Sequence, residues 1–237
     1  MLISFGDSEV AWRNVKSTIQ NAIIGSGAKR ILEVGAGANP LFPEAFLVDH
    51  GLDYTALDVS AIELDKAPAC YHKIVADICA DDLPIHNQFD FVFSRMLAEH
   101  VRDGAAFHRN VFRLLAPGGH AFHFFPTMWA PPFVLNRVLP ERLAELVLHT
   151  VQSSRERSGK LAKFPAYYSW CRGPMPSQIA RFGSLGYQVV TYTGFFGHRG
   201  YYLKFPALLR IHDRLAAWLI AHPKPWLTSF AYVTLQK

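Results

Sequence analysis

The chain predicts an α/β fold built on a doubly wound, mostly parallel sheet. Three observations predict it. Short apolar runs that read as strands alternate with segments whose apolar residues recur at helical spacing, and that alternation places helices on both faces of a parallel sheet. The run Ile31-Leu32-Glu33-Val34-Gly35-Ala36-Gly37 passes from an apolar strand straight into a glycine turn. The next strand, Tyr54 to Leu57, ends on an acid, Asp58. Glycines at such a turn let the backbone approach a ligand closely, and the acid can accept hydrogen bonds from both hydroxyls of a ribose. Together they describe a nucleoside site at the carboxyl edge of a parallel sheet.

The elements follow in order. Over residues 8–24, Val10, Val15, Ile19 and Ile23 mark one helical face, and Gly25 and Gly27 end it. Strand one is 30–35. A helix is expected from Pro40, with Asn39 as its N-cap, stopping near Gly51. Strand two is 53–58, and a short helix follows from Ala61. Strands three and four are 72–76 and 89–94. A helix over 103–115 ends in Pro117-Gly118-Gly119, and strand five is 120–125. The stretch 127–175 is longer than an ordinary connection and rich in aromatics, so it reads as a substrate-binding insertion after strand five. Then come a helix at 176–186, a strand at 187–192, a helix at 206–221 and a final strand at 229–235. In the last helix Leu208, Ile211, Leu215, Trp218 and Leu219 share a face. That face is expected to cover the sheet. The alternative, favoured by Trp218, Trp226 and nearby basic residues, is peripheral contact with a membrane surface.

The 237 residues suit one domain, 1–237, with half of its residues hydrophobic. Within it, 30–127 forms the core, and 127–175 with 194–226 elaborates it. Three scattered cysteines suggest neither a disulfide framework nor a metal motif. The start lacks the basic and apolar runs of a signal peptide, and no apolar stretch is long enough to span a bilayer, so a cytoplasmic protein is expected. The net charge is +5. It is uneven: residues 151–173 hold Arg155, Arg157, Lys160, Lys163 and Arg172 against Glu156 alone. No nucleic-acid module is present, and a basic balance by itself does not make one. The sequence leaves the oligomeric state open.

A dinucleotide fingerprint would need a third glycine where Pro40 stands. No Gly-Lys-Ser/Thr phosphate loop occurs either. A close turn without a pyrophosphate cradle suits a nucleoside that carries no phosphate, namely S-adenosylmethionine (SAM).

The motifs continue in order. Val75-Ala76-Asp77-Ile78 follows the third strand, Phe89 to Ser94 forms the fourth, Glu99-His100-Val101 comes after it, and Leu114-Leu115-Ala116-Pro117-Gly118-Gly119 precedes the fifth. In these pieces and their spacing, residues 30–127 resemble the class I SAM-dependent methyltransferases with a Glu/Asp-x-Gly-x-Gly first motif. The resemblance implies a Rossmann-like sheet of seven strands, the last antiparallel, and SAM as cofactor. It implies that Gly35, Ala36 and Gly37 pass the methionine part, with Glu33 beneath the loop meeting the amino group. Asp58 would meet the ribose, Asp77 the adenine amino group and Ile78 the adenine ring, with Val59 and Ser94 also among the cofactor-binding residues. The Asn/Asp-Pro-Pro-aromatic run of enzymes that methylate base or amide nitrogens is absent at Ser94-Arg95-Met96. That argues against DNA adenine or protein glutamine methylation.

Methyl transfer to a hydroxyl of high pKa benefits from a base. The candidates are His100, His123 and Glu99. No acid cluster for a divalent cation can be assembled, so no metal is expected. The basic, aromatic insertion offers Tyr167, Tyr168 and Arg172 as an acceptor wall, with Phe196 on a second one. These features point to O-methylation of a small-molecule or glycan-type acceptor such as a sugar, nucleotide-sugar or lipid-linked saccharide. The alternative acceptor is a quinone or other lipid-like ring. From another class, a non-catalytic SAM-binding regulator or partner subunit would share the glycine loop and Asp58.

Overall fold

The computed structural model of the protein describes residues 1–85, 88–128 and 165–237. Eight strands among them form one sheet: β1 (Leu2–Asp7), β2 (Arg30–Val34), β3 (Asp53–Asp58), β4 (His72–Val75), β5 (Phe89–Arg95), β6 (Leu115–Pro126), β7 (Gln188–Phe196) and β8 (Phe230–Gln236). Their order is β1-β7-β8-β6-β5-β2-β3-β4. Pairing is parallel except where β8 runs antiparallel between β6 and β7. The helices are α1 (Ser8–Ser26), α2 (Glu44–His50), α3 (Ala61–Lys66), α4 (Gly104–Leu114), α5 (Pro176–Ser184) and α6 (Pro206–Ala221).

The expected sheet had seven strands, and the eighth is β1. It pairs in parallel with β7, from Leu2 opposite Thr191 to Asp7 opposite Phe196. No glycine or proline separates it from α1. Asp7 ends the strand and also caps the helix, its side chain accepting the Glu9 N–H at 2.7 Å. The strand runs into the helix with no loop between them, so a reading that looks for a separate strand before α1 passes over it.

Residue alternation splits the core between the two faces of the sheet. Leu32, Val34, Val92, Ala121 and Phe125 pack on one side. Ile31, Phe91, Phe93, Phe122 and Phe124 pack on the other. Both faces are therefore apolar, as a sheet covered on both sides requires.

Two helix predictions need correction. α2 begins at Glu44, not at Pro40, with Pro43 in the N-cap position. The Leu41 N–H donates to the buried Glu33 carboxylate at 2.9 Å, and Phe42 is fully buried. These contacts hold 39–43 out of helical geometry. α6 covers the sheet with a different stripe from the one expected. His212, Ala216 and Leu219 face inward, whereas Leu208, Ile211, Leu215 and Trp218 are exposed. The docking angle is set by His212, whose Nε2 accepts the His198 N–H at 2.9 Å.

The carboxyl ends of β2, β3, β5, β6 and β7 share one edge. There Thr127 N–H donates to Ser229 O, and Ser229 N–H donates to Phe195 O. The long β7–β8 connection, 197–229, thus leaves and rejoins the sheet at the edge where a ligand crevice is expected. The insertion meets it: a Cβ on Gly173 would lie 2.0 Å from Pro225 O.

Candidate functional site

The turn after β2 needs its glycines for two different reasons. Gly35 has φ +78°, a left-handed conformation, and a Cβ there would come within 2.9 Å of Leu97. Gly37 has φ +52°, and its N–H donates to Asp58 Oδ2 at 2.9 Å. Asp58, at the end of β3, also accepts the Ser60 N–H on Oδ1 at 2.9 Å. Each carboxylate oxygen is thus used once and keeps a second acceptor position.

These residues border a cleft of about 630 Å³. Its floor and one wall come from Gly35, Asp58, Val59, Asp77 and Ile78. The opposite wall comes from the loop after β5, where Met96, Leu97, His100, Val101 and Arg102 face in, and Tyr167 of the insertion closes the side. Most of these side chains are apolar. Asp77 spends Oδ1 on the Cys79 N–H at 2.8 Å, which turns the chain so that Ile78 is buried beneath the cleft.

The structure therefore brings Gly35, Asp58, Val59, Asp77, Ile78, His100 and Tyr167 together around one space. Other predicted residues lie elsewhere. Glu33 is buried and fully engaged: Oε1 accepts from Arg95 at 2.9 Å, and Oε2 accepts from Leu41 N and from the Tyr54 hydroxyl. Burial, with the Glu33 carboxylate next to it, pushes the Tyr54 phenol well above its ordinary value, so it remains a donor. Ala36 turns its methyl into the core. Ser94 is buried and bonds His123 Nδ1 at 2.8 Å. Gly37 meets Asp58 and does not itself line the cleft.

His123 cannot reach a ligand in this cleft. Strand alternation points it inward, where the rings of Phe107 and His108 enclose it. Burial pushes its imidazole down to about 3. Phe196 is also buried, stacked on Phe5 at 5.7 Å, because β7 extends past the predicted strand end at 192. Tyr168 is buried in the core with a left-handed φ of +52°. Arg172 does not line the cleft; its Nη1 donates to the carbonyls of Tyr168 and Cys171. The basic run 151–163 lies outside the described residues.

His100 has a defined tautomer. Its Nδ1 lies 3.0 Å from the Pro165 carbonyl, which can only accept, so the neutral ring carries its proton on Nδ1 and its lone pair on Nε2. Glu99 turns the other way. Its backbone carbonyl accepts the N–H groups of Tyr167 and Tyr168, which fixes the end of the insertion beside the cleft. Its carboxyl is buried, with Oε1 3.7 Å from His100 Nε2 and Oε2 lacking a hydrogen-bond partner among the described residues. Burial raises it to about 8, so it carries a proton at neutral pH.

That proton has a measurable consequence. Between 4.5, the ordinary value, and about 8, the folded chain holds a proton that the unfolded chain releases. Stability therefore falls as pH rises through this window. Glu99→Gln removes the titration, so its melting temperature should decline less than the parent's between pH 5 and pH 8. Parallel declines would show that Glu99 is not a buried neutral acid. The groups facing it are His100 and Cys171.

Sequence reading missed Met96, Leu97, Arg102 and Asp103. Met96 has φ +51°, and its N–H donates to Phe124 O at 2.8 Å. Nothing local in the sequence announces that conformation. Arg102 and Asp103 directly follow Glu99-His100-Val101 and were within reach of the motif. Arg102 donates to the Tyr167 hydroxyl at 3.2 Å, its guanidinium 5.2 Å from the ring centre. Asp103 caps α4 through the Ala105 and Ala106 N–H groups.

With this geometry in place, residues 32–123 match the family model described as a methyltransferase domain. That segment is similar to methyltransferase domains. A ubiquinone biosynthesis O-methyltransferase from Pseudomonas fluorescens is 31% identical over 108 residues, 42% of this chain and 45% of that protein. The chain therefore spans under half the length of the curated relatives it matches. Among solved structures, an S-adenosylmethionine-dependent methyltransferase from Mesorhizobium loti aligns over 93% of this chain and 96% of its own, at 18% identity and a TM-score of 0.52. A phosphoethanolamine N-methyltransferase from Haemonchus contortus, in complex with S-adenosyl-L-methionine, covers 94% of this chain and 52% of its own, at 17% identity and a TM-score of 0.54. At these identities the structures establish the fold alone.

The residues present fit S-adenosylmethionine, the ligand in the Haemonchus structure. Asp58 retains acceptor capacity for two hydroxyls, and Ile78 offers an apolar surface for a planar base.

Proposed function

We propose that the protein transfers a methyl group from SAM to an oxygen of a lipid-like ring, such as a hydroxylated quinone precursor. The carrying observation is the apolar lining of the cleft on the acceptor side, from Met96, Leu97 and Val101. The expected glycan acceptor finds less support, because Arg172 and Tyr168 turn away from the cleft. The named function of the Pseudomonas relatives, ubiquinone biosynthesis O-methylation, points the same way.

In this reading the chain is one domain in which Asp58 orients the ribose, Asp77 and Ile78 hold the adenine, and the Gly35–Gly37 turn passes the methionine part. SAM supplies a sulfonium-bound methyl and takes up the electron pair when that bond breaks. The protein's share is alignment. Tyr167 and the loop after β5 hold the ring so that its hydroxyl oxygen faces the methyl. His100 Nε2 accepts the hydroxyl proton as the oxygen–carbon bond forms, and the Pro165 carbonyl keeps the imidazole in that orientation. The neutral Glu99 adds no negative charge beside it.

His100→Ala is expected to lower kcat about a hundredfold while leaving SAM affinity within about twofold, the pattern of a group acting only on the acceptor. Unchanged turnover would remove the base and leave alignment as the main effect. The acceptor itself is tested by measuring S-adenosylhomocysteine release with a prenylated dihydroxybenzene and, separately, with a nucleotide-sugar. Release with the first only is expected. Release with the sugar only would restore the glycan reading.

A further inference from the structure

The outward stripe of α6 is the strongest feature that the cleft does not use. Leu208 is 50% exposed, Ile211 63%, Leu215 52% and Trp218 51%. They recur at helical spacing and form one apolar line along the helix. The exposure continues on both sides, with Leu203 at 63% and Phe205 at 39% before the helix and Trp226 at 53% after it. A run of large exposed apolar side chains on this scale marks a contact surface.

The charge around it is one-sided. Lys204, Arg210, Arg214 and Lys224 are exposed along the same segment, against Asp213 alone. Asp213 is already engaged, by His212 at 3.0 Å and Arg199 at 3.5 Å. In helical projection Arg210 and Arg214 flank the apolar line on the side away from the buried face. An apolar line bordered by arginines, with tryptophans at its end and beyond it, fits the headgroup boundary of an anionic bilayer. An acidic protein partner would explain the arginines but not the exposed tryptophans and leucines.

We propose that α6 with its flanking turns is a membrane-docking surface that takes an anionic lipid bilayer. The 197–229 connection leaves and rejoins the sheet at the carboxyl edge, so docking would bring that edge to the lipid surface. No helix among the described residues is long and apolar enough to cross a membrane, so the contact is peripheral. The inference does not rest on the acceptor assigned above.

The test is sedimentation of the full chain with phosphatidylcholine vesicles, with and without phosphatidylglycerol. Binding is expected only with phosphatidylglycerol, falling as salt is raised, with a blue shift of tryptophan emission. The double variants Ile211→Glu/Leu215→Glu and Arg210→Glu/Arg214→Glu should each reduce partitioning at least tenfold. Their S-adenosylhomocysteine affinity should stay at the parent value, which reports an intact fold. The arginine variant leaves the packing untouched and decides the matter alone should the first one unfold. No partitioning into anionic vesicles would overturn the proposal, as would partitioning that neither variant alters. Light scattering that shows a dimer dissolved by Ile211→Glu/Leu215→Glu would overturn it too, because the stripe would then be an interface between copies.

Discussion

Asp58→Ala is expected to weaken S-adenosylhomocysteine binding by about 3 kcal/mol, roughly a hundredfold, which places it among the largest effects of any cleft substitution. The carboxylate acts twice. It keeps acceptor positions that the proposed function assigns to the ribose hydroxyls, and it holds the glycine turn by accepting the N–H groups of Gly37 and Ser60 at 2.9 Å each. Removing it costs the ligand contact and leaves the turn free to adopt other conformations. Asp58→Asn separates the two contributions. The amide retains one acceptor oxygen and loses the charge, so its loss should be intermediate. Calorimetry would report both. Equal affinity of the parent and the alanine variant would remove Asp58 from the cofactor site.

Arg95→Met carries the largest expected effect on stability. Its guanidinium donates to Glu33 Oε1 at 2.9 and 3.3 Å, and Glu33 is 1% exposed at the end of β2. Without the arginine, a buried carboxylate oxygen loses its only partner among the described residues. Breaking one side of a buried pair costs about 3 kcal/mol, at the low end of the usual range because Arg95 is part-exposed. For a chain of this length that lowers the melting temperature by roughly 6–12 °C. Glu33→Gln combined with Arg95→Met should recover most of the loss, since no unpaired charge remains. A single variant within about 1 °C of the parent would show that the ion pair is not what anchors the turn.

The core of the fold was legible because its signals are local. The Ile31–Gly37 run, the Tyr54–Asp58 strand and the Asp103 to Gly119 helix and turn each carry periodicity and punctuation within a few residues. β1 was not legible, since the strand runs into α1 at Asp7 with no loop to set it apart. The start of α2 was misplaced because Asn39 and Pro40 mimic a helix start, while the Glu33 carboxylate, distant in sequence, captures the Leu41 N–H.

At the cleft, the residues at strand ends were legible as lining, whereas several of those expected from strand phase and from the insertion were not. Asp58, Asp77 and Ile78 stand at strand ends, where position in the sheet dictates direction. His123 and Phe196 depended on strand phase and length, and both point into the core. Glu33 sat at the motif position, but its charge is spent on Arg95 inside the protein. The α6 stripe shows the same limit. Periodicity reveals that an apolar face exists, and the burial of Ala216 and Leu219 with the His212–His198 contact shows which face meets the sheet.

A crystal structure with S-adenosylhomocysteine tests the account most directly. Both ribose hydroxyls are expected within hydrogen-bond distance of Asp58, the adenine over Ile78, and the thioether sulfur facing the space between His100 and Tyr167. A nucleoside bound outside this cleft, or a sulfur turned away from His100 and Tyr167, would contradict it.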